Sequence, residues 1–85
     1  MVSFTYTITD KMGIHARPAG VMVQNIKKLP CNIKIKCGER EADAKKIFDL
    51  MAMGIKCGET VTVTVDGENE ESVKEYLVDF FKNNF

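Results

Sequence analysis

A chain of 85 residues is close to the smallest size at which one hydrophobic core forms without disulfides or metals, so we expect a single domain over residues 1–85. The content of 45% hydrophobic and 28% charged residues excludes a disordered chain, and no apolar run approaches the roughly 18 residues of a membrane span. A net charge of zero, with no stripe of basic and aromatic residues, disfavours nucleic acid as a partner.

The first predicted elements are a strand and a helix. Residues 2–8 alternate between apolar and polar side chains, which is typical of a strand with one buried face. Turn-forming residues follow at 9–13. From Pro18 onward, apolar residues recur at helical spacing, namely Ala19, Met22, Val23 and Ile26. We expect this helix to end near residues 29–30, because proline cannot continue it.

The middle of the chain predicts a hairpin and a short helix. Residues 33–37 alternate in the manner of a strand, and Gly38-Glu39-Arg40 supplies a turn into a short strand over 41–44. A second helix is indicated by the spacing of Ile47, Leu50 and Met51. Gly54 stands where a left-handed residue is needed to end that helix.

The last third predicts the most regular strand and a final helix. Three valines alternate with three threonines over residues 60–66, and Gly67 ends the strand. Three acidic residues stand at the start of the next helix, where negative charge is favourable, namely Glu68, Glu70 and Glu71. Its predicted buried stripe consists of Val73, Tyr76, Leu77 and Phe80. Because every strand is half polar, the order β-α-β-β-α-β-α predicts an antiparallel sheet with helices on one face, an α/β (α+β) two-layer sandwich.

Cysteine and charge patterns bear on the compartment and on the partners. Cys31, Cys37 and Cys57 contain no C-x-x-C pair, and a single histidine is too few to complete a zinc site. We expect the thiols to be reduced and Cys37 to face the core. We also expect a cytoplasmic protein that has no signal peptide and binds no metal or cofactor. Residues 1–58 hold ten basic and five acidic side chains, and residues 59–85 hold two and seven. The excess of basic side chains in the first part suits acidic partners or phosphate. We expect a monomer, because the sequence contains no long apolar edge strand.

The strongest candidate site is the segment G-I-H-A-R-P-A over residues 13–19. It places the only histidine, His15, between a strand and a helix start, where backbone N–H groups have no intrahelical partner. The positive end of the helix and Arg17 should both keep the imidazole neutral, with a lone pair for nucleophilic attack. The same N–H groups and the Arg17 guanidinium would stabilise a phosphoryl dianion on that ring.

A blander interpretation of His15 is a helix cap or a surface histidine. Gly13, which permits a tight backbone beside a ligand, and the nearby Arg17 weigh against it. The segment contains no acid, second histidine or serine for a hydrolytic triad. It can hold phosphate but lacks the groups to process a substrate alone, which favours a carrier over an enzyme.

These residues resemble the active-site signature of the HPr family, the histidine-containing phosphocarriers of the bacterial phosphoenolpyruvate-dependent sugar phosphotransferase system (PTS). The resemblance spans the chain and includes residues 45–48, Gly54 and the valine strand. It implies an open-faced β-sandwich of four antiparallel strands and three helices. It also implies that enzyme I phosphorylates His15 at Nδ1, that enzyme IIA components receive the group, and that Arg17 and the backbone of Ala16 and Arg17 bind the phosphate.

The resemblance further implies a docking face around the histidine and along the second helix. Its candidate residues are Ala16, Gly20, Lys27, Lys45, Ile47, Phe48 and Met51. Ile47 and Met51 can equally be core residues, since they belong to the apolar stripe of their helix. Phe48 lies off that stripe and is the better candidate for a partner contact.

Three positions depart from the family pattern. Lys46 stands where members controlled by a serine kinase carry a phosphorylatable serine, so that regulatory phosphosite is expected to be absent. Met12 replaces a small polar residue that orders the loop, a role that Asp10 could take over. Asp49 adds an anion to a surface that is neutral or basic in relatives, which could alter the choice of partner.

Three functions therefore remain open. The first is a general phosphocarrier of sugar uptake. The second is a specialised paralogue in a different phosphorelay, such as a nitrogen-related branch or a dihydroxyacetone kinase, which Met12, Lys46 and Asp49 favour. The third is a non-phosphorylated regulatory binding module on the same scaffold, which the presence of both His15 and Arg17 disfavours.

Overall fold

The computed structural model describes residues 1–85 and contains the seven predicted elements in the predicted order. They are β1 (Val2–Thr7), α1 (Ala16–Ile26), β2 (Asn32–Cys37), β3 (Arg40–Asp43), α2 (Ile47–Ala52), β4 (Thr60–Asp66) and α3 (Glu70–Asn84). The four strands form one sheet in the order β1-β4-β2-β3, and every neighbouring pair is antiparallel. The predicted two-layer fold is confirmed. No helix has the length and apolar character needed to cross a membrane.

The two faces of the sheet differ in chemistry, and β4 at its centre shows the difference most clearly. Val61, Val63 and Val65 are fully buried and point toward the helices. Their partners on the neighbouring strands are also apolar, for example Phe4 on β1 and Ile35 on β2, which both lie opposite Val63. The threonines of β4 point to the uncovered face. Alternating burial therefore fixes the register, because a slip of one residue would turn the valines to solvent.

Helix α1 differs from its prediction at its C-terminal end only. Its buried face is the predicted one, and Pro18 lies in the first turn, where no backbone donor is required. The helix ends at Ile26, before Pro30 could stop it. The Leu29 N–H donates to the Ile26 carbonyl at 3.0 Å, so the chain tightens into a turn of the i to i+3 kind. The Lys45 ammonium donates to the Leu29 carbonyl and holds this turn against the segment before α2.

Helix α3 buries a different stripe from the one predicted. Val73, Leu77 and Phe81 face the core, whereas Phe80 is half-buried and Tyr76 is exposed over 36% of its surface. Both sets have helical spacing, because residues three and four apart lie on the same face. The burial of Phe81 rather than Phe80 is therefore decided by packing against the sheet, not by the spacing along the helix.

The sheet makes that choice through aromatic packing. The Phe81 ring lies edge-on to the rings of Phe4 and Tyr6 on β1, with centroids 5.7 Å apart in both pairs. Edge-to-face packing at this distance stabilises a pair beyond the burial of its area. One continuous core of 22 buried residues results, lying between the sheet and the three helices.

Candidate functional site

The loop between β1 and α1 is held by backbone contacts at Gly13 and Ile14. Gly13 has a left-handed φ of 67°, and its N–H donates to the Asp10 carbonyl at 2.9 Å. A Cβ at this position would lie 2.2 Å from the Ile55 carbonyl oxygen and 2.8 Å from Lys56 Cα. The Ile14 N–H donates to that same Ile55 oxygen at 3.1 Å. Only glycine fits, both for its conformation and for the closeness of the opposing backbone.

The C-terminal end of α3 supports the other side of the loop. The backbone oxygen of Phe85 accepts hydrogen bonds from the N–H groups of Thr9, at 2.6 Å, and Asp10, at 2.8 Å. The Phe85 ring is buried and lies edge-on to the His15 ring, with centroids 6.4 Å apart. Sequence reasoning missed Phe85, and the only signal for it is an apolar residue that follows the polar pair Asn83-Asn84.

His15 is the N-cap residue of α1. Its backbone is extended, with φ −117° and ψ 166°, and its carbonyl accepts the Ala19 N–H at 3.1 Å. The side chain makes no capping bond to the helix. Instead, Nδ1 lies 3.0 Å from the Gly13 carbonyl oxygen. Because a carbonyl only accepts, Nδ1 carries the proton here, and in the neutral ring the lone pair is on Nε2.

The side chains of His15 and Arg17 meet in one shallow open pocket. It is lined by Asp10, His15, Arg17, Pro18, Val21, Asn83 and Asn84. Arg17 is exposed and forms no salt bridge, so all its donors are available to an anion. Sequence reasoning did not predict the contribution of Asn83 and Asn84. The site thus combines a half-buried imidazole, a free guanidinium and the N-terminal end of a helix.

Asp10 and Met12 occupy the turn that precedes the histidine. The Asp10 Oδ1 accepts the Met12 N–H at 2.8 Å, so this carboxylate does order the turn. The Met12 side chain is exposed over 69% of its surface. It is an exposed apolar group in this turn, and the expected docking residues did not include it.

The residues expected to dock partners differ in how far they reach the surface. Phe48 is exposed over 86% of its surface, whereas Ile47 and Met51 are half-buried and pack on the core. Ala16 and Lys27 are exposed, and Gly20 is half-buried. Lys45 is half-buried as well, and its ammonium is engaged by the turn after α1.

The cysteines and the acidic side chains do not gather at one place in the fold. No group of three or more His, Cys, Asp and Glu residues is placed to hold a metal ion. Cys31 and Cys37 are buried, Cys57 is exposed, and all three thiols are free. The position of Cys37 on the core face of β2 agrees with the prediction from its strand pattern.

Comparison with known proteins agrees with this fold. Residues 2–83 match the family model PTS-HPr, described as the PTS HPr component phosphorylation site. The phosphocarrier protein HPr of Mycoplasma capricolum is 37% identical over 83 residues, which is 93% of each chain. That of Xylella fastidiosa strain Temecula1 is 33% identical and covers 100% of this chain and 96% of its own.

Solved structures show the same likeness. A histidine-containing phosphocarrier protein of Mycoplasma superposes with a TM-score of 0.92 at 34% identity, over 96% of this chain and 93% of its own. HPr-C-His of Thermoanaerobacter tengcongensis gives 0.90 at 32% identity, over 98% and 93%. Fold and site thus define a phosphocarrier component of the PTS. The chain belongs to the HPr family, as its sequence resemblance implied.

Proposed function

We propose that His15 accepts a phosphoryl group from enzyme I of the PTS and passes it to an enzyme IIA component. The observation that carries this proposal is the placement of His15 at the N-cap of α1, in one pocket with an unpaired Arg17. The pocket contains no serine, threonine or cysteine as a second nucleophile, and its one carboxylate, Asp10, is engaged by the Met12 N–H. The chain therefore acts as a carrier whose reactions are completed by partner enzymes, as a single domain without a cofactor.

The acceptor atom that the family resemblance implies is Nδ1, and the ring must change state before that atom can react. In this structure, the Nδ1–H group donates a hydrogen bond to the Gly13 carbonyl. The ring therefore has to leave this hydrogen bond and move its proton to Nε2 through solvent. The Nδ1 lone pair then attacks phosphorus, and the N–P bond forms while the bond from phosphorus to enzyme I breaks.

The phosphorylated ring has stabilising groups at hand. The N–H groups of Ala16 and Arg17 are the first two of α1 and lack an intrahelical acceptor. Together with the guanidinium of Arg17 they would bind the phosphoryl oxygens. Replacement of Arg17 by alanine should therefore shorten the lifetime of the phosphorylated protein, which can be followed by the loss of its phosphoryl adduct.

The test of carrier chemistry is intact-mass analysis after incubation with phosphoenolpyruvate, magnesium and enzyme I. The wild-type protein should gain a single acid-labile phosphoryl adduct, and a folded His15→Ala variant should gain none. Phosphorus NMR of the product distinguishes Nδ1 from Nε2 as the acceptor. An unmodified wild-type protein would contradict the proposal and favour the regulatory binding module.

We propose a docking surface formed by Ala16, Gly20, Ile47, Phe48 and Met51, with Lys27 and Lys45 at its rim. The exposure of Phe48, an aromatic with 86% of its surface in solvent, supports this assignment. Removing a central aromatic from an interface commonly costs about 1 to 2 kcal/mol, or roughly a tenfold change in affinity.

Phe48→Ala should accordingly raise KM for enzyme I about tenfold and leave kcat nearly unchanged. Tyr76→Ala is the matched control, since Tyr76 is an exposed aromatic on α3, outside the His15 pocket. An equal rise of KM in both variants would argue against docking at Phe48.

Regulation through a serine is proposed to be absent. Lys46 is the exposed N-cap residue of α2 and has no hydroxyl to phosphorylate.

We also propose that the protein works in the cytoplasm as a monomer. The exposed Met12 and Asp49 support a specialised paralogue as the second candidate, and efficient transfer to several sugar-specific IIA proteins would decide against it.

A further inference from the structure

An ion pair outside the pocket connects the hairpin after β2 with the loop before β4. The Arg40 guanidinium contacts the Glu59 carboxylate. It also donates to the Met53 carbonyl, at 2.7 Å, at the end of α2, and lies 3.3 Å from the Cys37 sulfur. One side chain thus ties three elements together. Both members of the pair are partly exposed, and such pairs contribute little to stability by themselves.

The second carboxylate oxygen of Glu59 accepts a hydrogen bond from one backbone N–H. The Oε2 atom accepts the Lys56 N–H at 2.7 Å, and this N–H belongs to the peptide group between Ile55 and Lys56. The hydrogen bond from Lys56, with the charge of Arg40, holds the pKa of Glu59 below its usual value. The carboxylate is therefore charged at neutral pH and fixes one side of that peptide group.

The other side of the same peptide group faces the His15 loop. Its carbonyl, on Ile55, accepts the Ile14 N–H at 3.1 Å, and the Gly13 backbone lies directly against it. The Gly13 carbonyl in turn accepts from His15 Nδ1 at 3.0 Å. A peptide whose N–H binds a carboxylate is polarised, so its carbonyl becomes the better acceptor. A continuous series of contacts runs from Arg40 and Glu59 to the imidazole ring.

We infer that Arg40 and Glu59 are positioning residues for His15. They fix the Ile55–Lys56 peptide, and this peptide places the Gly13 carbonyl that orients the imidazole ring. Neither residue lines the His15 pocket. The inference takes its biological meaning from the proposed phosphoryl transfer, but it concerns the ring of the free protein and can be tested there.

The test is nitrogen NMR of the His15 ring, which reports the protonated nitrogen. Wild-type protein should carry its proton mainly on Nδ1. Glu59→Ala should lower the Nδ1–H population at least about threefold, because the Gly13 carbonyl is no longer held. Glu59→Gln, which keeps an acceptor for Lys56, should restore most of it. Glu41→Ala is the matched control, since Glu41 forms an exposed ion pair with Lys34 at 3.8 Å on the hairpin.

Each outcome of this comparison decides the inference. The inference would be overturned if folded Glu59→Ala kept the wild-type fraction of Nδ1–H, or if Glu41→Ala lowered that fraction equally. If Glu59→Ala does not fold, Arg40→Lys is compared with Lys34→Arg. Arg40→Lys keeps the charge of Arg40 but loses its forked donors, and it should shift the ring population while Lys34→Arg does not.

Kinetics with enzyme I add a second readout. Arg40→Lys and Glu59→Ala should change kcat about fivefold with KM nearly unchanged, because the orientation of the ring is altered while the docking surface is intact, and Glu59→Gln should stay near the wild-type value. If enzyme I fails to phosphorylate the wild-type protein, the proposed function fails. The NMR comparison still decides whether Arg40 and Glu59 orient the ring.

Discussion

Two turns of this protein use a glycine in the same left-handed conformation for different purposes. Gly13 in the His15 loop has φ 67°, and Gly38 in the hairpin between β2 and β3 has φ 62°. A Cβ on Gly38 would meet nothing within 4 Å, whereas a Cβ on Gly13 would strike the Ile55 carbonyl. The hairpin turn needs only local geometry. The loop that holds His15 needs local geometry and a close approach to a distant segment.

The largest predicted effect is the loss of stability when each of these two glycines is replaced by alanine. Gly13→Ala should lower the free energy of unfolding by about 4 kcal/mol, since left-handed strain and a backbone collision add together. Gly38→Ala should cost about 1 kcal/mol, the strain alone. Urea unfolding of both variants measures the contrast. Equal losses would show that the closeness of Ile55 does not matter.

A smaller effect is predicted at the second support of the loop. Phe85→Ala should cost about 3 kcal/mol, because a ring with only 2% of its surface exposed is lost from beneath His15. Amide hydrogen exchange should quicken at Thr9 and Asp10, which donate to the Phe85 backbone, and stay unchanged in the hairpin at Arg40. Uniform acceleration in both regions would argue against a local support.

The smallest predicted effect concerns acid. Because the pKa of Glu59 is lowered in the folded state, its contribution to stability is full above its usual value of 4.5 and is lost as pH falls through the folded value. Glu59→Gln should therefore weaken the fall of stability below about pH 4.5, whereas Glu41→Gln should not. Unfolding curves between pH 3 and 7 measure this. Some acid sensitivity will remain, because the Met1 amino group and the Gly67 N–H also lower the pKa of Glu70.

The sequence predicts the parts of this fold that depend on side-chain periodicity. The alternation over residues 60–66 defines β4 to the residue, and Gly54 follows α2 with the expected left-handed φ of 61°. Periodicity fails where two neighbouring residues both satisfy it, as in the choice between Phe80 and Phe81. That choice depends on the rings of β1, which lie more than 70 positions away.

The residues of the candidate site came together only in part from the sequence. His15 and Arg17 come from one short segment, and the structure does bring them into one pocket. Ile55 and Phe85 escaped prediction because both bind the loop through a backbone carbonyl, and the packing of the Phe85 ring against His15 depends on the folded structure. A backbone carbonyl is present at every residue, so no residue type marks the one that matters.

The bond from Thr9 to Phe85 has a consequence for folding. The two residues are 76 positions apart, so this contact closes nearly the whole chain. Contacts of such long range form only after the chain entropy opposing them has been offset by other structure. The loop that holds His15 therefore reaches its complete set of contacts only once β1 and the residue that follows α3 have been brought together.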